Sequence, residues 1–245
     1  MCCFTRPVKE VADTNIFARA SGEGRQYLVY SMAFAADEDL AMVLPLPVAR
    51  RSGEDALRFL NLEGYPAFFA DLRAGFPEVA GLGRGRAVAV AAPPTLKVVS
   101  VGSFEASCVP TVADFDRLDE RFRLPPGVWD ELPMYRDFGF AVFKLKPGAH
   151  HVHPMAFEFP RARPRQLFFP TVHIHDGRVH KMARFDHALY CQVADGSRRI
   201  PDWEESPEPA GRFTKAGRSQ GVLEPEAVCW RQRIEGRRLN VDILV

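Results

Sequence analysis

The sequence predicts an α+β fold: one domain over residues 1–245, with a mixed or mainly antiparallel sheet, a few short helices and a His-rich β-hairpin over 167–191. Three observations carry that expectation. Twenty prolines and eighteen glycines place many turns between short elements and disfavour a helical bundle. Short apolar or alternating runs bounded by turn residues recur along the chain, which is the pattern of strands. Asp176-Gly177 sits between two such runs, and Asp-Gly suits a type I′ hairpin turn because both central residues need positive φ.

The N-terminal 50 residues read mostly as strand. Residues 26–35 are rich in aromatic and aliphatic side chains, residues 39–48 form a nearly continuous apolar run, and acidic Ala36-Asp37-Glu38 joins the two as a hairpin. Pro45 and Pro47 place the end of the second run at a sheet edge or exit. Two helices are expected next. Ser52, three residues before Asp55, caps a segment with Ala56, Leu57, Phe59 and Leu60 on its apolar side. Pro66 suits the first turn of another, with Phe68, Phe69 and Leu72 at helical spacing and Gly75 at its end.

Gly81-Leu-Gly-Arg-Gly-Arg86 lacks the Lys-Ser/Thr of a phosphate loop and the dinucleotide spacing, so it reads as a flexible connection. Residues 87–92 and 96–104 return to strand pattern. Thr111 caps a helix carrying Val112, Phe115, Leu118 and Phe122, stopped by Pro125-Pro126-Gly127. Residues 138–146 and 156–159 read as strands, 195–225 as a polar loop, and the tail as a hairpin turning at Glu235-Gly236. With no repeat and no clean linker, a single α+β unit is the economical architecture.

Composition narrows the function. The 32 basic and 31 acidic residues nearly cancel, so nothing advertises a nucleic-acid or membrane partner. No apolar run approaches the roughly 18–20 residues that span a bilayer. No basic head precedes an apolar stretch at the N-terminus. Five cysteines at irregular spacing argue against a disulfide framework. A cytoplasmic protein acting on a small-molecule or peptide substrate is expected.

The histidines point to chemistry. All seven (His150, His151, His153, His173, His175, His180 and His187) lie between positions 150 and 187. Clustered His is a compositional pointer to metal binding. With Asp176-Gly177 at a two-residue turn, His173 faces His180, and His175 shares their side of the ribbon because side chains alternate. Three imidazoles that leave a coordination position open are the ligand set of a catalytic metal centre. Zinc, copper and iron are all compatible with such ligands. His151 and His153 share a strand face and are candidates for a fourth ligand or second metal, whereas His150 faces the opposite way. His187 is a candidate ligand or general acid/base, and Asp186 and Asp176 are candidate partners that fix a tautomer. The competing reading is a solvated polar hairpin face.

The N-terminus offers a second chemistry. Removal of Met1 would leave Cys2 with a free α-amine as its own base, the start used by N-terminal-nucleophile amidohydrolases. Cys2 and Cys3 are also candidate soft metal ligands, which would favour copper or zinc; otherwise they are ordinary thiols. The sequence therefore predicts a metalloprotein with a three-His centre, catalysing either hydrolysis by metal-activated water or redox chemistry. The alternatives are an N-terminal Cys amidohydrolase and a non-catalytic metal-binding or sensing protein.

One resemblance accompanies these readings. A Cys-bearing start leads to Pro7-Val8, Ile16-Phe17 and the run Ala41-Met42-Val43-Leu44-Pro45-Leu46-Pro47. Later, Phe140 to Gly148 leads to Pro154-Met-Ala-Phe-Glu-Phe159. This order resembles, over about residues 1–170, the bacterial family called domain of unknown function 2330. That family has no established activity, so the resemblance implies continuity of fold rather than a function, and it does not extend to the His-rich segment.

Overall fold

The structure is a computed structural model that describes residues 2–50, 52–77, 99–101, 104–125, 127–151, 153–193 and 199–245. In chain order the strands are β1 (Cys2–Phe4), β2 (Glu10–Ser21), β3 (Arg25–Ala36), β4 (Leu40–Leu46) and β5 (Arg58–Asn61). The helix α1 (Phe68–Ala74) follows, then β6 (Val99–Val101), β7 (Phe104–Val109), β8 (Gly139–Leu145), β9 (Gly148–His151) and β10 (Met155–Pro160). The C-terminal part holds β11 (Phe168–Phe169), β12 (His173–Ile174), β13 (Met182–Gln192), β14 (Glu204–Pro209), β15 (Val228–Leu239) and β16 (Ile243–Leu244).

These strands build one sheet in the order β12-β1-β4-β8-β7-β6 and a larger one in the order β14-β15-β13-β2-β3-β10-β5, with β9 added on β3. A short third sheet joins β11 to β16. Most pairings are antiparallel, but β1 with β12 and β13 with β2 run parallel. The sheets are thus mixed, as the sequence predicts. No helix among the described residues is long and apolar enough to cross a membrane.

Strand alternation explains the core. In the larger sheet Ile16, Ala18, Leu28, Tyr30, Met155, Phe157, Leu189 and Cys191 face the smaller sheet, where β4 is buried along its whole length. Their neighbours Phe17, Val29, Ala156 and Tyr190 face the other way. There they meet Phe68, Phe69 and Leu72 of α1, with Val222 and Leu223. Period-two alternation in a sheet covered on both faces gives continuous apolar runs rather than alternating ones, which is why residues 26–35 are apolar almost throughout.

Several expected elements differ. The turn at 36–38 is present, but β3 and β4 do not pair with each other: β3 enters the larger sheet and β4 the smaller. The expected helix over 55–60 gives way to β5. There Phe59 pairs with Phe157, Leu60 is buried against the α1 side, and Arg58 donates to Glu158 Oε2 at 2.9 Å. Cross-strand pairing of these residues outweighs a helical spacing read from four apolar side chains. The helix expected from Thr111 is two short 3-10 turns, Val112–Arg117 and Glu120–Phe122. The terminal hairpin is absent as well. β15 runs straight through Glu235 and Gly236, and Gly236, at φ +76°, stays paired with Phe185. The strand expected over 87–92 lies outside the described residues.

Candidate functional site

The histidine segment is a seam between the two sheets and not a hairpin. Residues His173 and Ile174 form β12, and its pairing partner is β1, with Cys2 opposite His173 and Cys3 opposite Ile174. Gly177 adopts φ +75° and the Asp176 carboxylate accepts the Arg178 amide at 3.1 Å, so a turn does form. The chain then fails to return along β12 because the backbone groups there are already satisfied. His173 N donates to Asn240 Oδ1 at 2.7 Å, Asn240 Nδ2 donates to the carbonyls of His173 and His180, and Val8 N donates to His175 O. The next strand, β13, begins only at Met182 and pairs with β15 and β2.

This dismantles the predicted ligand set. His180 is exposed, with its Nε2 2.9 Å from the Asp176 carboxylate. His153 lies on another part of the molecule, its Nδ1 3.3 Å from Pro154 O. His151 and its neighbour His150 belong to β9, paired with Ala33 and Phe34. Cys3 is fully buried in the main core. Cys2 is held in strand register beside His173.

What the fold does assemble is His173, His175 and His187. His173 and His187 put their Nε2 atoms 2.9 Å apart, with ring centroids at 4.7 Å, and the His175 ring lies 4.9 Å from that of His173. Phe185 stacks at 4.5 Å from His173, and Phe4 lies 5.6 Å from His175. Asp186 stands at the margin: one oxygen accepts the Asp13 amide at 2.8 Å, and the other is 3.5 Å from His187 Nδ1 without forming a hydrogen bond. Among the described residues, His175 Nε2 and His187 Nδ1 have no hydrogen-bond partner.

Burial sets the charge state. Desolvation, followed by repulsion from His187 and His175, pushes His173 down to about 2. Desolvation, followed by His187, pushes His175 down to about 4. His187 is lowered by burial too, with Asp186 opposing. The cluster is therefore neutral at physiological pH, and the 2.9 Å contact is an N–H of one imidazole donating to the bare nitrogen of the other.

A transition-metal ion requires imidazole nitrogens about 2.0–2.1 Å from one common point. Among the described residues, no group of three or more His, Cys, Asp or Glu side chains is arranged to hold a metal. The three-His zinc or copper centre expected from the sequence is thereby corrected: this is a proton-sharing pair in a core.

The residues around the cluster carry as much of its structure as the histidines. Asn240 clamps both flanks of the turn. Half-buried Asp242 accepts the Tyr135 hydroxyl at 2.6 Å and the amides of Thr171 and Val172 at 2.8 and 3.1 Å. Polar Asn240 and Asp242 in an otherwise apolar tail were the available signal for this clamp.

Comparison of the whole architecture decides what kind of scaffold this is. The crystal structure of baculovirus P35 superposes with a TM-score of 0.52 at 14% identity, covering 97% of this chain and 96% of P35. The chain has the fold of baculovirus P35. A mutated P35 solved after caspase cleavage matches at a TM-score of 0.50 and 13% identity, over 95% of this chain and 99% of that one. P35 has also been solved in complex with caspase-8; that structure matches at a TM-score of 0.48 and 13% identity, over 95% of each chain. No protein-family model and no curated protein matches the sequence. The P35 fold, together with the geometry of the histidine seam, replaces the metalloprotein reading and its two alternatives, amidohydrolase and metal sensor.

Proposed function

We propose that this chain is a protein-binding scaffold whose partner is a caspase-type cysteine protease. The observation that carries the reading is the extent of the shared fold, which runs over nearly the full length of both this chain and P35. A mutated P35 is cut by a caspase. The buried histidine cluster supports the same view from within. Its imidazoles are neutral and packed between Phe4 and Phe185, so its work is to weld β12 and the N-terminal strand β1 to β13. Function then belongs to the surface that this welded frame displays, and the expected substrate of an enzyme is replaced by a protein partner.

The experiment incubates the purified chain with an active caspase. It follows hydrolysis of an aspartyl peptide substrate, co-elution on gel filtration and the mass of any fragment. Loss of peptide hydrolysis with a stable co-eluting complex, or a fragment ending at an aspartate, supports the reading. The sequence has no aspartate between Asp71 and Asp114, so an Asp-specific cut falls outside that stretch. Undiminished peptide hydrolysis, with the chain intact and eluting alone, overturns the proposal.

A further inference from the structure

The outer face of the β13–β15 ribbon carries a charge pattern that the scaffold leaves unused. β2 pairs with β13 only from His187 onward, and α1 covers the outer side only around Tyr190. Beyond that point Met182, Arg184 and Asp186 of β13, and Glu235, Arg237 and Leu239 of β15, are exposed. The register puts like opposite like in three successive rows: Met182 with Leu239, Arg184 with Arg237, Asp186 with Glu235. Like charges directly opposite each other destabilise an antiparallel pair, and two such rows lie side by side here. Met182 and Leu239 remain 37% and 64% exposed, large values for apolar side chains.

We propose that this face is the contact surface of a homodimer. Place a two-fold axis just above the ribbon's outer face, parallel to that face and at right angles to the strands, over the line between the arginine row and the carboxylate row. The partner subunit's Asp186 and Glu235 then lie over Arg184 and Arg237, and the reverse contact forms by symmetry, as an isologous interface requires. Rows on one strand face repeat every two residues, roughly 7 Å, so both charged rows are matched at once. The same operation lays the Met182–Leu239 row over the partner's Ala188–Arg233 row, where Ala188 and the aliphatic stem of Arg233 take the apolar side chains out of water. A uniformly acidic partner would satisfy the arginines but confront Asp186 and Glu235 with like charge. A partner with alternating rows at this spacing is required, and this chain carries them. The Asp186 carboxylate is fixed for the purpose by the Asp13 amide.

Sedimentation velocity on the intact protein at micromolar and at submillimolar concentration tests the proposal. The unaltered chain should show a concentration-dependent dimer. Raising ionic strength from about 0.05 to about 0.5 M should weaken it severalfold, because screening acts on partly exposed charges. R184E/R237E, with both charged rows acidic, should be monomeric. D186K/E235K, with both charged rows basic, should be monomeric as well, and an equimolar mixture of the two variants should restore a heterodimer. That recovery also shows that both variants are folded. R184Q/R237Q, which removes charge without adding repulsion, gives the same reading should a reversed pair not fold. A chain that is monomeric at every concentration overturns the inference, as does a dimer unaffected by R184E/R237E or a mixture of reversed variants that stays monomeric.

Discussion

The two faces of the β13–β15 ribbon are built from neighbouring residues under opposite rules. His187 and Asp186 are adjacent in sequence, yet His187 is buried and neutral while Asp186 is exposed. Inside, one neutral imidazole donates its N–H to the other across 2.9 Å, with the Asp186 carboxylate at the margin, 3.5 Å from His187 Nδ1. Outside, arginine lies against arginine and carboxylate against carboxylate. The lesson is that residue type alone does not declare role. Clustered histidines make a structural seam here, whereas an unremarkable stretch of arginines and acids is where the surface departs from ordinary strand pairing.

Breaking the inner face should have the largest effect. His187→Ala removes one partner of the buried pair and opens a void between Phe185 and His173. We expect a loss of about 3 kcal/mol in folding free energy, from a cavity plus an unsatisfied buried nitrogen, measured by urea unfolding. Asp242→Ala should cost a similar ~3 kcal/mol, since it strands the Tyr135 hydroxyl and the Thr171 and Val172 amides together. Replacing both partners in His173→Leu/His187→Leu should be much milder than the sum of the single alanine changes, because an apolar pair leaves nothing unpaired.

Acid should act through the histidines whose pKa burial lowers, those of the inner face and His153 elsewhere. The folded pKa of His175, about 4, lies below its ordinary value near 6.5, so the unfolded chain takes up the proton first. This contribution is fully present above pH 6.5 and is lost as pH falls from there toward 4, at up to ~1.4 kcal/mol per pH unit for each such group. Thermal midpoints should therefore fall from pH 7 to pH 5 in the unaltered chain and fall less in His173→Leu/His187→Leu. A midpoint independent of pH over that range would contradict a neutral buried cluster. The smallest effects belong to the outer face. Arg184→Ala should change monomer stability by only about 0.5 kcal/mol, in the stabilising direction, because it relieves a like-charge cross-strand pair.

Much of the fold was legible from local pattern. The strands β3, β4, β8 and β10 and the helix α1 follow from apolar runs and from Pro66 and Gly75. Partnership was not legible. The apolar run of β4 looks the same whether it pairs with β3 or with β1 and β8, and the latter holds because Cys3 and Phe4 sit opposite Val43 and Met42. The same limit applies at the site. Asp176-Gly177 correctly signals a turn, but Asn240, more than sixty residues away, takes the backbone groups that a hairpin would use. The sequence sets His187 beside Asp186, and only the parallel pairing of β13 with β2 and the packing of Phe185 bring it to His173.

The central claim is that a frame welded by neutral imidazoles presents a surface to a caspase-type protease. Titrating an active caspase with increasing amounts of this chain, while following hydrolysis of an aspartyl peptide, tests it most directly. We expect hydrolysis to fall with added chain and to reach its floor near an equimolar ratio. We also expect His187→Ala, which loosens the frame, to require more protein for the same effect. Hydrolysis unchanged at a large molar excess of well-folded chain would contradict the account.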